Sequence, residues 1–147
     1  MKMVFDLETD GLLDECTQIW CCGTGLTTKR AIARCSTDAT LYLSFLDDAT
    51  TLIGHNIINF DLPVLEKIYG WKHAVHVKII DTWVLSKMLY PHRKSHSLAS
   101  WGETLGFPKG DYDDWSKYTE EMGEYCKQDI IVSTRLYHHL MNKMNSL

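Results

Sequence analysis

The sequence predicts a single α/β domain in which a mixed β-sheet carries helices on its faces. The chain has 147 residues, the length of one ordinary domain, which we take to span residues 1–147. Apolar residues make up 45% and charged residues 23%, as is usual for globular proteins that fold in water. Segments with β-strand character open the chain, and later strands alternate with helical segments, which is typical of this fold class.

The strands are predicted from short runs that are apolar or rich in β-formers. The first three runs follow one another with turns between them, so we expect the sheet to begin as an antiparallel meander. Later strands are separated by helical segments. The expected strands are residues 1–7, 18–26, 30–35, 51–54 and 75–80, with a turn at residues 27–29.

The helices are predicted from apolar residues at helical spacing and from capping residues at the helix ends. Gly70 and Gly106 each follow a helical segment, as C-terminal caps do, and Pro91 stops another. The last helix could be broken near Gly123. The expected helices are residues 38–48, capped by Thr37 or Asp38, then 61–69, 82–89, 97–105, capped by Ser95 or Ser97, and 119–144.

The charge of the chain restricts how it could bind nucleic acid. With 15 Lys and Arg residues against 19 Asp and Glu residues, the net charge is −4. Proteins that neutralise phosphates with lysine and arginine are usually basic. The chain therefore binds another ligand, or it relies on bound cations and a local basic patch. The basic segment 92–96 is either a solvated loop or a phosphate contact.

The sequence carries no targeting or zinc-binding signal. The N-terminus becomes acidic at Asp6 without a signal-peptide segment, and no apolar stretch approaches the length of a membrane span. We therefore expect a cytoplasmic protein with no membrane segment. The five cysteines are odd in number and form no Cys-x-x-Cys pair, which favours reduced thiols over a zinc site.

Two acidic side chains near the end of the first strand are candidate functional residues. Asp6 and Glu8 are two positions apart, so in a strand they point to the same face of the sheet. Two carboxylates placed in this way repel each other unless a cation lies between them. The structural alternative is a solvated strand end.

Further candidate acids lie at the start and middle of later helices. Asp61 follows an asparagine-rich turn and could be a helix cap or a functional acid. Tyr125 and Asp129 are four positions apart on the last helix, so their Cβ atoms should lie about 5–6 Å apart on one face. Asp129 precedes an apolar run, where an unpaired acid is costly, although a surface position is the alternative. Asp81 ends a strand and could approach the same site.

Together these acids suggest a metal site. Carboxylate oxygens select hard divalent ions such as Mg²⁺ or Mn²⁺. Two such ions about 3.5–4 Å apart can hold the attacking and leaving oxygens of a phosphodiester. Tyr125 could then orient the attacking water.

These segments resemble the signature motifs of the DEDD superfamily of 3′→5′ exonucleases, in its tyrosine-bearing branch. The resemblance covers nearly the whole chain. Within the superfamily, the chain is similar to the proofreading domains of phage and cellular DNA polymerases. It implies a ribonuclease H-like sheet, with three antiparallel strands followed by parallel ones. Because the chain is too short to hold a polymerase, we expect a free-standing exonuclease. The matching segments are Phe5-Asp6-Leu7-Glu8-Thr9, Asn56-Ile57-Ile58-Asn59-Phe60-Asp61 and Tyr125-x-x-x-Asp129.

The resemblance also implies a role for each site residue. Asp6 would bridge two divalent ions, either Mg²⁺ or Mn²⁺, and Glu8 and Asp129 would complete the tighter site. Asp61 would hold the second ion. Tyr125 would position the attacking water, and the product would be a nucleoside 5′-monophosphate. The residues expected to grip the terminal nucleotide are Thr9, Leu12, Asn56 and Phe60.

Three functions fit this resemblance. The first is an exonuclease that acts on the 3′ end of single-stranded DNA in a bacterial or phage-infected cell, which the polymerase-like motifs favour. The second is an exoribonuclease of the ribonuclease D or oligoribonuclease kind, because no residue reads the 2′-hydroxyl unambiguously. The third is a non-catalytic module that binds nucleic acid or recruits a polymerase, and the intact set of acids argues against it.

Overall fold

A computed structural model describes residues 1–28 and 32–147 of the chain. No helix in this part of the chain is both long and apolar enough to cross a membrane. The elements in these residues are β1 (Lys2–Thr9), β2 (Ile19–Leu26), β3 (Arg34–Ser36), α1 (Ala39–Asp48), β4 (Thr51–Gly54), α2 (Asp61–Tyr69), β5 (Lys78–Asp81), α3 (Thr82–Leu89), α4 (Leu98–Leu105) and α5 (Glu120–Asn145).

The strands form one mixed sheet in the order β3-β2-β1-β4-β5. Strands β1, β2 and β3 pair in antiparallel fashion, whereas β4 runs parallel to β1 and β5 runs parallel to β4. Strand β1 therefore lies at the centre of the sheet. The predicted fold class, an antiparallel start followed by parallel strands and flanked by helices, is confirmed.

Strand β1 divides its side chains between the two faces of the sheet, because successive residues of a strand point to opposite sides. Leu7 belongs to the core that also contains residues of α1 and α2. Val4 packs in a second core with Ile130 of α5. Asp6 and Glu8 are even-numbered like Val4, so they share the face of the sheet that α5 covers.

Two glycines of β2 allow α5 to approach the sheet closely. A Cβ atom on Gly23 would lie 2.7 Å from Cys126 Sγ and 2.8 Å from Ile130 Cγ1. A Cβ atom on Gly25 would lie 2.8 Å from Ile130 Cγ2. Side chains at these positions would push the helix outward. Their absence keeps α5, which carries Tyr125, next to the central strands.

Several predicted boundaries differ from the structure. Strand β5 begins at Lys78 rather than at residue 75, because Val77 N–H bonds to the Ala74 carbonyl oxygen in a turn. Strand β1 continues to Thr9, two residues past its predicted end. Part of the predicted turn 27–29 and the start of the predicted strand 30–35 fall on residues 29–31, outside the described residues. In the remainder of that prediction, residues 32 and 33 are not in a strand, and β3 covers Arg34–Ser36.

The predicted helices agree with the structure except in one respect. Asp38 caps α1 and Ser97 caps α4, each through its side chain. The suggested break near Gly123 is wrong, since α5 continues through it. Gly123 instead leaves space for Tyr118, because a Cβ atom there would lie 2.6 Å from Tyr118 Oη and would displace that hydroxyl.

Candidate active site

Asp6 and Glu8 lie near the end of β1 on the face that α5 covers. They stand opposite Gly23 and Cys21 of β2, and the register of the two strands shifts between Glu8 and Thr9. Glu8 is buried and Asp6 is partly buried. The pair is therefore enclosed by protein, and the alternative of a solvated strand end is wrong.

Two more acids join this pair from different helices. Asp129 of α5 is buried, and the charge of Asp6 is near enough to raise the pKa of its carboxyl group. Asp61 of α2 is also buried, and its Oδ2 accepts a hydrogen bond from the Leu7 N–H at 3.0 Å. Phe60, not Asp61, occupies the N-cap position of α2, so Asp61 does not act as the cap. We call the four residues Asp6, Glu8, Asp61 and Asp129 the acid cluster.

The acid cluster cannot be fully ionised without a counter-charge. Burial, followed by the charge of Asp6, raises the pKa of Glu8 to about 11 and the pKa of Asp129 to about 8. The same two causes raise the pKa of Asp61 well above its usual range. Burial also raises the pKa of Asp6. Like charges in a buried site disfavour the ionised form, so the metal-free cluster retains protons at neutral pH.

Two oxygen atoms of the acid cluster have no hydrogen-bond partner among the described residues. They are the buried atoms Glu8 Oε1 and Asp129 Oδ1. Buried acceptors in proteins are ordinarily paired, so these two oxygens lack a partner that a bound cation would supply. An oxygen of Asp6 and one of Glu8 lie within 4.8 Å of each other, close enough to share an ion. The acid cluster thus fits hard divalent cations, which prefer carboxylate oxygens.

Tyr125 stands beside Asp129, and its hydroxyl contacts a lysine that the sequence analysis did not single out. Lys109 Nζ donates a hydrogen bond to Tyr125 Oη and lies 3.6 Å from Asp129 Oδ2. The ammonium group is also 4.6 Å from the centre of the Tyr125 ring. Burial raises the pKa of the Tyr125 hydroxyl, and Lys109 offsets this only in part. Lys109 therefore brings a positive charge to the edge of the acid cluster.

The loop between α4 and α5 is tied to α5, and this holds Lys109 in place. Gln128 Nε2 donates a hydrogen bond to the Pro108 carbonyl oxygen. The ring of Trp115 packs edge-on against Tyr125, with their centroids 5.7 Å apart. The local sequence offered only a lysine ahead of an acidic stretch, which is too common a feature to mark a site. The role of Lys109 depends on how the loop folds back onto α5.

The turn between β4 and α2 is supported by Asp81. The Asp81 carboxylate accepts hydrogen bonds from the backbone N–H groups of Asn56, at 2.9 Å, and Ile58, at 3.0 Å. Asn56 has a φ of 62°, in the left-handed region that asparagine tolerates better than most residues. Its Oδ1 is buried and has no partner among the described residues. Asp81 therefore shapes the turn that presents Asn56.

The other predicted nucleotide-binding residues have different environments. Thr9 is buried and donates a hydrogen bond from Oγ1 to the Gly11 carbonyl oxygen at 2.7 Å. Leu12 lies in the following loop and is 72% exposed. Phe60 packs partly against the core between the sheet, α1 and α2. Of these side chains, Leu12 is the most available to a ligand.

The basic segment after α3 is held by contacts within the protein. The Arg93 guanidinium lies 3.7 Å from the centre of the Trp101 ring. It also donates hydrogen bonds to the hydroxyl groups of Ser100 and Thr104 in α4. These contacts favour the structural interpretation of Arg93 over a phosphate contact.

A comparison of the sequence with known protein families identifies the family of this chain. Residues 5–145 match a family model described as 3′-5′ exonuclease. The match covers almost the whole chain, so the chain belongs to the 3′-5′ exonuclease family. The family implies nuclease activity that depends on divalent metal ions. The resemblance to this class that the motifs indicated is confirmed.

Among characterised proteins, the chain is similar to two phage DNA-directed DNA polymerases. It is 25% identical over 189 residues to the enzyme of Escherichia phage T7, which covers 95% of this chain and 26% of the polymerase. It is 26% identical over 132 residues to the enzyme of Enterobacteria phage T3, which covers 62% of this chain and 19% of the polymerase. The chain thus spans about a quarter of these relatives or less.

Two solved structures illustrate the similarity of fold. Brucella melitensis NrnC bound to pGG has a TM-score of 0.76 and 21% identity, with coverage of 99% of this chain and 74% of that chain. Escherichia coli RNase D, an exoribonuclease involved in structured RNA processing, has a TM-score of 0.70 and 20% identity, with coverage of 99% and 40%. At these identities the similarity concerns the fold alone, and it supports the ribonuclease H-like sheet.

Proposed function

We propose that this protein is a metal-dependent exonuclease that removes nucleotides from the 3′ end of single-stranded DNA. We also propose that residues 1–147 act as one exonuclease domain. The observation that carries the proposal is the convergence of the acid cluster from three elements, with two buried oxygens that no described group pairs. The products would be nucleoside 5′-monophosphates.

The acid cluster would hold two divalent ions, either Mg²⁺ or Mn²⁺. When bound, such ions neutralise charge on the phosphate and activate a water molecule. The protein contributes the placement of the ligands. Asp6 and Glu8 are set by the central strand, and Asp129 is set by α5, which the glycines of β2 hold close. Burial of these groups strengthens each charge interaction within the site.

Tyr125 and Lys109 would act together at the edge of the site. The raised pKa of Tyr125 keeps its hydroxyl protonated, so it orients the attacking water by hydrogen bonding and does not serve as a base. Lys109 fixes the direction of this hydroxyl and adds positive charge where the phosphate enters. Catalysis of this kind depends on positioning and on charge stabilisation.

The terminal nucleotide would lie between the loop after β1 and the turn before α2. Leu12 would contact the base with its exposed side chain, and Phe60 would pack near the sugar. Asn56 Oδ1 would accept a hydrogen bond from the nucleotide, while Thr9 supports the loop through its bond to Gly11. Stacking and apolar contacts tolerate any base, which suits an exonuclease.

The direct test uses a 5′-labelled single-stranded DNA with Mg²⁺, with Mn²⁺ or with EDTA. We expect products that shorten by one nucleotide at a time with at least one of the two metals and an intact strand with EDTA. Intact DNA with both metals would contradict the proposal. If calorimetry then detected metal and DNA binding, the protein would be assigned as a non-catalytic binding module.

RNA is the second candidate substrate. NrnC was solved with bound pGG, and RNase D is described as an exoribonuclease. The similarity to phage DNA polymerases favours DNA. Matched DNA and RNA strands of one sequence separate the two, because the 2′-hydroxyl is the group that differs. We expect kcat/KM to be at least roughly tenfold higher for DNA, and the opposite ratio would assign the enzyme to RNA.

A further inference from the structure

Three cysteine sulfur atoms meet beside the acid cluster. The Sγ atoms of Cys21, Cys35 and Cys126 all lie within 4.8 Å of one another. Cys21 and Cys126 are buried, and Cys35 is partly exposed. They come from the consecutive strands β2 and β3 and from the distant helix α5. We call these three residues the thiol cluster.

The packing of α5 on the sheet creates the thiol cluster. Cys35 of β3 pairs with Gly23 of β2. Cys21 is two residues from Gly23 in the same strand, so the side chains of Cys21 and Cys35 lie on the same face of the sheet. Gly23 has no side chain, and Cys126 Sγ occupies the space where one would lie. The sulfur atoms are therefore brought together by backbone positions that are themselves well fixed.

The thiol cluster has a reactive and accessible member. The neighbouring thiols of Cys126 and then Cys21 lower the pKa of Cys35 to about 4, and Lys127 contributes. Cys21 and then Cys35 raise the pKa of Cys126, so one member of the cluster is a thiolate before a metal binds and the others must lose their protons. Thiolate is the form of cysteine that binds metal ions. Cys35 also lines a surface depression together with Tyr118. Solvent and ions can reach the cluster from this side.

We propose that Cys21, Cys35 and Cys126 form a three-thiolate site for a soft d¹⁰ metal ion, Zn²⁺ or Cu⁺. Thiolates select such ions, whereas Mg²⁺ and Mn²⁺ prefer carboxylate oxygens. Around Zn²⁺, with metal–sulfur distances of about 2.3 Å, three sulfurs stand roughly 3.8–4.0 Å apart, within the 4.8 Å limit observed here. The surface depression leaves room for a water as a fourth ligand, and binding releases the thiol protons.

The proposed site is linked to the acid cluster through one sulfur atom. Cys126 Sγ also lies within 4.8 Å of an oxygen of Asp6 and an oxygen of Glu8. A soft ion held by the thiol cluster would place positive charge beside these carboxylates and weaken their hold on Mg²⁺. It would therefore slow the nuclease. This effect rests on the proposed function, whereas the binding of the soft ion does not.

Cd²⁺ serves as the probe, because its thiolate complexes absorb in the ultraviolet and its carboxylate complexes do not. Reduced, metal-free protein is titrated with Cd²⁺ in an excess of Mg²⁺. We expect a thiolate-to-metal band that saturates at one equivalent, and binding at least roughly tenfold weaker in Cys35→Ser. Cys16→Ser and Cys22→Ser, which change cysteines outside the cluster, and Asp129→Asn should keep the band.

The absence of a band at one equivalent, or an unchanged band in Cys35→Ser, would overturn the proposal. Circular dichroism checks that Cys35→Ser is folded, and Cys21→Ser replaces it if it is not. One equivalent of Cd²⁺ should inhibit the wild-type nuclease but leave Cys35→Ser active in Mg²⁺. A wild-type protein that shows the band and has no nuclease activity would count against the proposed function alone.

Discussion

The acid cluster and the thiol cluster lie side by side against α5, yet their polar atoms are satisfied in opposite ways. The acid cluster leaves Glu8 Oε1 and Asp129 Oδ1 without partners among the described residues. In the thiol cluster, Cys126 Sγ donates a hydrogen bond to the Asp6 carbonyl oxygen at 3.9 Å. Ionised carboxylates only accept hydrogen bonds and repel one another, whereas thiols both donate and accept. The acid cluster therefore needs a cation to be buried, and the thiol cluster can be buried without one.

One helix serves both clusters. Asp129 and Tyr125 belong to the acid side of α5, and Cys126 belongs to the thiol side. A rigid helix can thus place hard oxygen ligands and soft sulfur ligands next to each other without mixing them. The comparison predicts that each cluster can be disabled separately, unless the packing of α5 itself is changed.

The largest effect should come from Asp129→Ala. We expect hydrolysis of single-stranded DNA to fall at least about 10³-fold, because the change removes the oxygen ligand that α5 supplies. Single-turnover kinetics on labelled DNA measures the rate. Glu124→Ala changes an exposed acid of the same helix and should keep full activity. Normal turnover by Asp129→Ala would show that the acid cluster is not the catalytic site.

The metal-free protein should lose stability as the pH rises. The pKa of Asp129 is about 8 in the folded protein, compared with about 3.9 when unfolded, so folding favours the protonated form. The stability this contributes is complete below about pH 4 and is lost as the pH rises through 8. We expect Asp129 alone to lower the free energy of unfolding in EDTA by roughly 3–4 kcal/mol between pH 5 and pH 8, and the raised pKa of Glu8 to add to this loss.

Urea denaturation at each pH tests this expectation. Mg²⁺ should reverse the trend, because it binds the deprotonated carboxylates. The Asp129→Asn variant should show a smaller dependence on pH than the wild type. A slope that is the same in wild type and variant would show that Asp129 is not the titrating group.

Smaller effects should come from Tyr125→Phe and Lys109→Met, which alter positioning without removing an acid. We expect each change to lower kcat by roughly 10–100-fold with little change in KM. Because Lys109 bonds to the Tyr125 hydroxyl, the double variant should be only slightly slower than either single variant. Fully additive losses would mean that the two residues act separately. Lys109→Arg keeps the charge and should recover part of the rate.

The smallest effect should come from Gly23→Ala, which tests the packing that both clusters share. A Cβ atom there would lie 2.7 Å from Cys126 Sγ, so we expect a loss of about 1–2 kcal/mol in unfolding free energy. Gly11→Ala is the matched control, since its nearest contact would be 3.6 Å away. Urea denaturation compares the two variants. Equal stabilities would show that α5 does not depend on Gly23.

Local periodicity explains which parts of the site were predictable. The two-residue period of a strand placed Asp6 and Glu8 on one face, and the helical period placed Tyr125 beside Asp129. Helix caps were predictable for the same reason, because a capping side chain hydrogen-bonds to a backbone group only a few residues away. The suggested break at Gly123 failed because that glycine makes room for Tyr118 and does not end a helix.

By itself, the sequence determined the fold class, the shared face of Asp6 and Glu8, the shared face of Tyr125 and Asp129, and the resemblance to 3′→5′ exonucleases. Only the tertiary structure brought Lys109 to Tyr125 and gathered Cys21, Cys35 and Cys126 into one cluster. Contacts of this second kind depend on the order of strands in the sheet and on the glycines that allow α5 to approach. No local period of the chain encodes those distances.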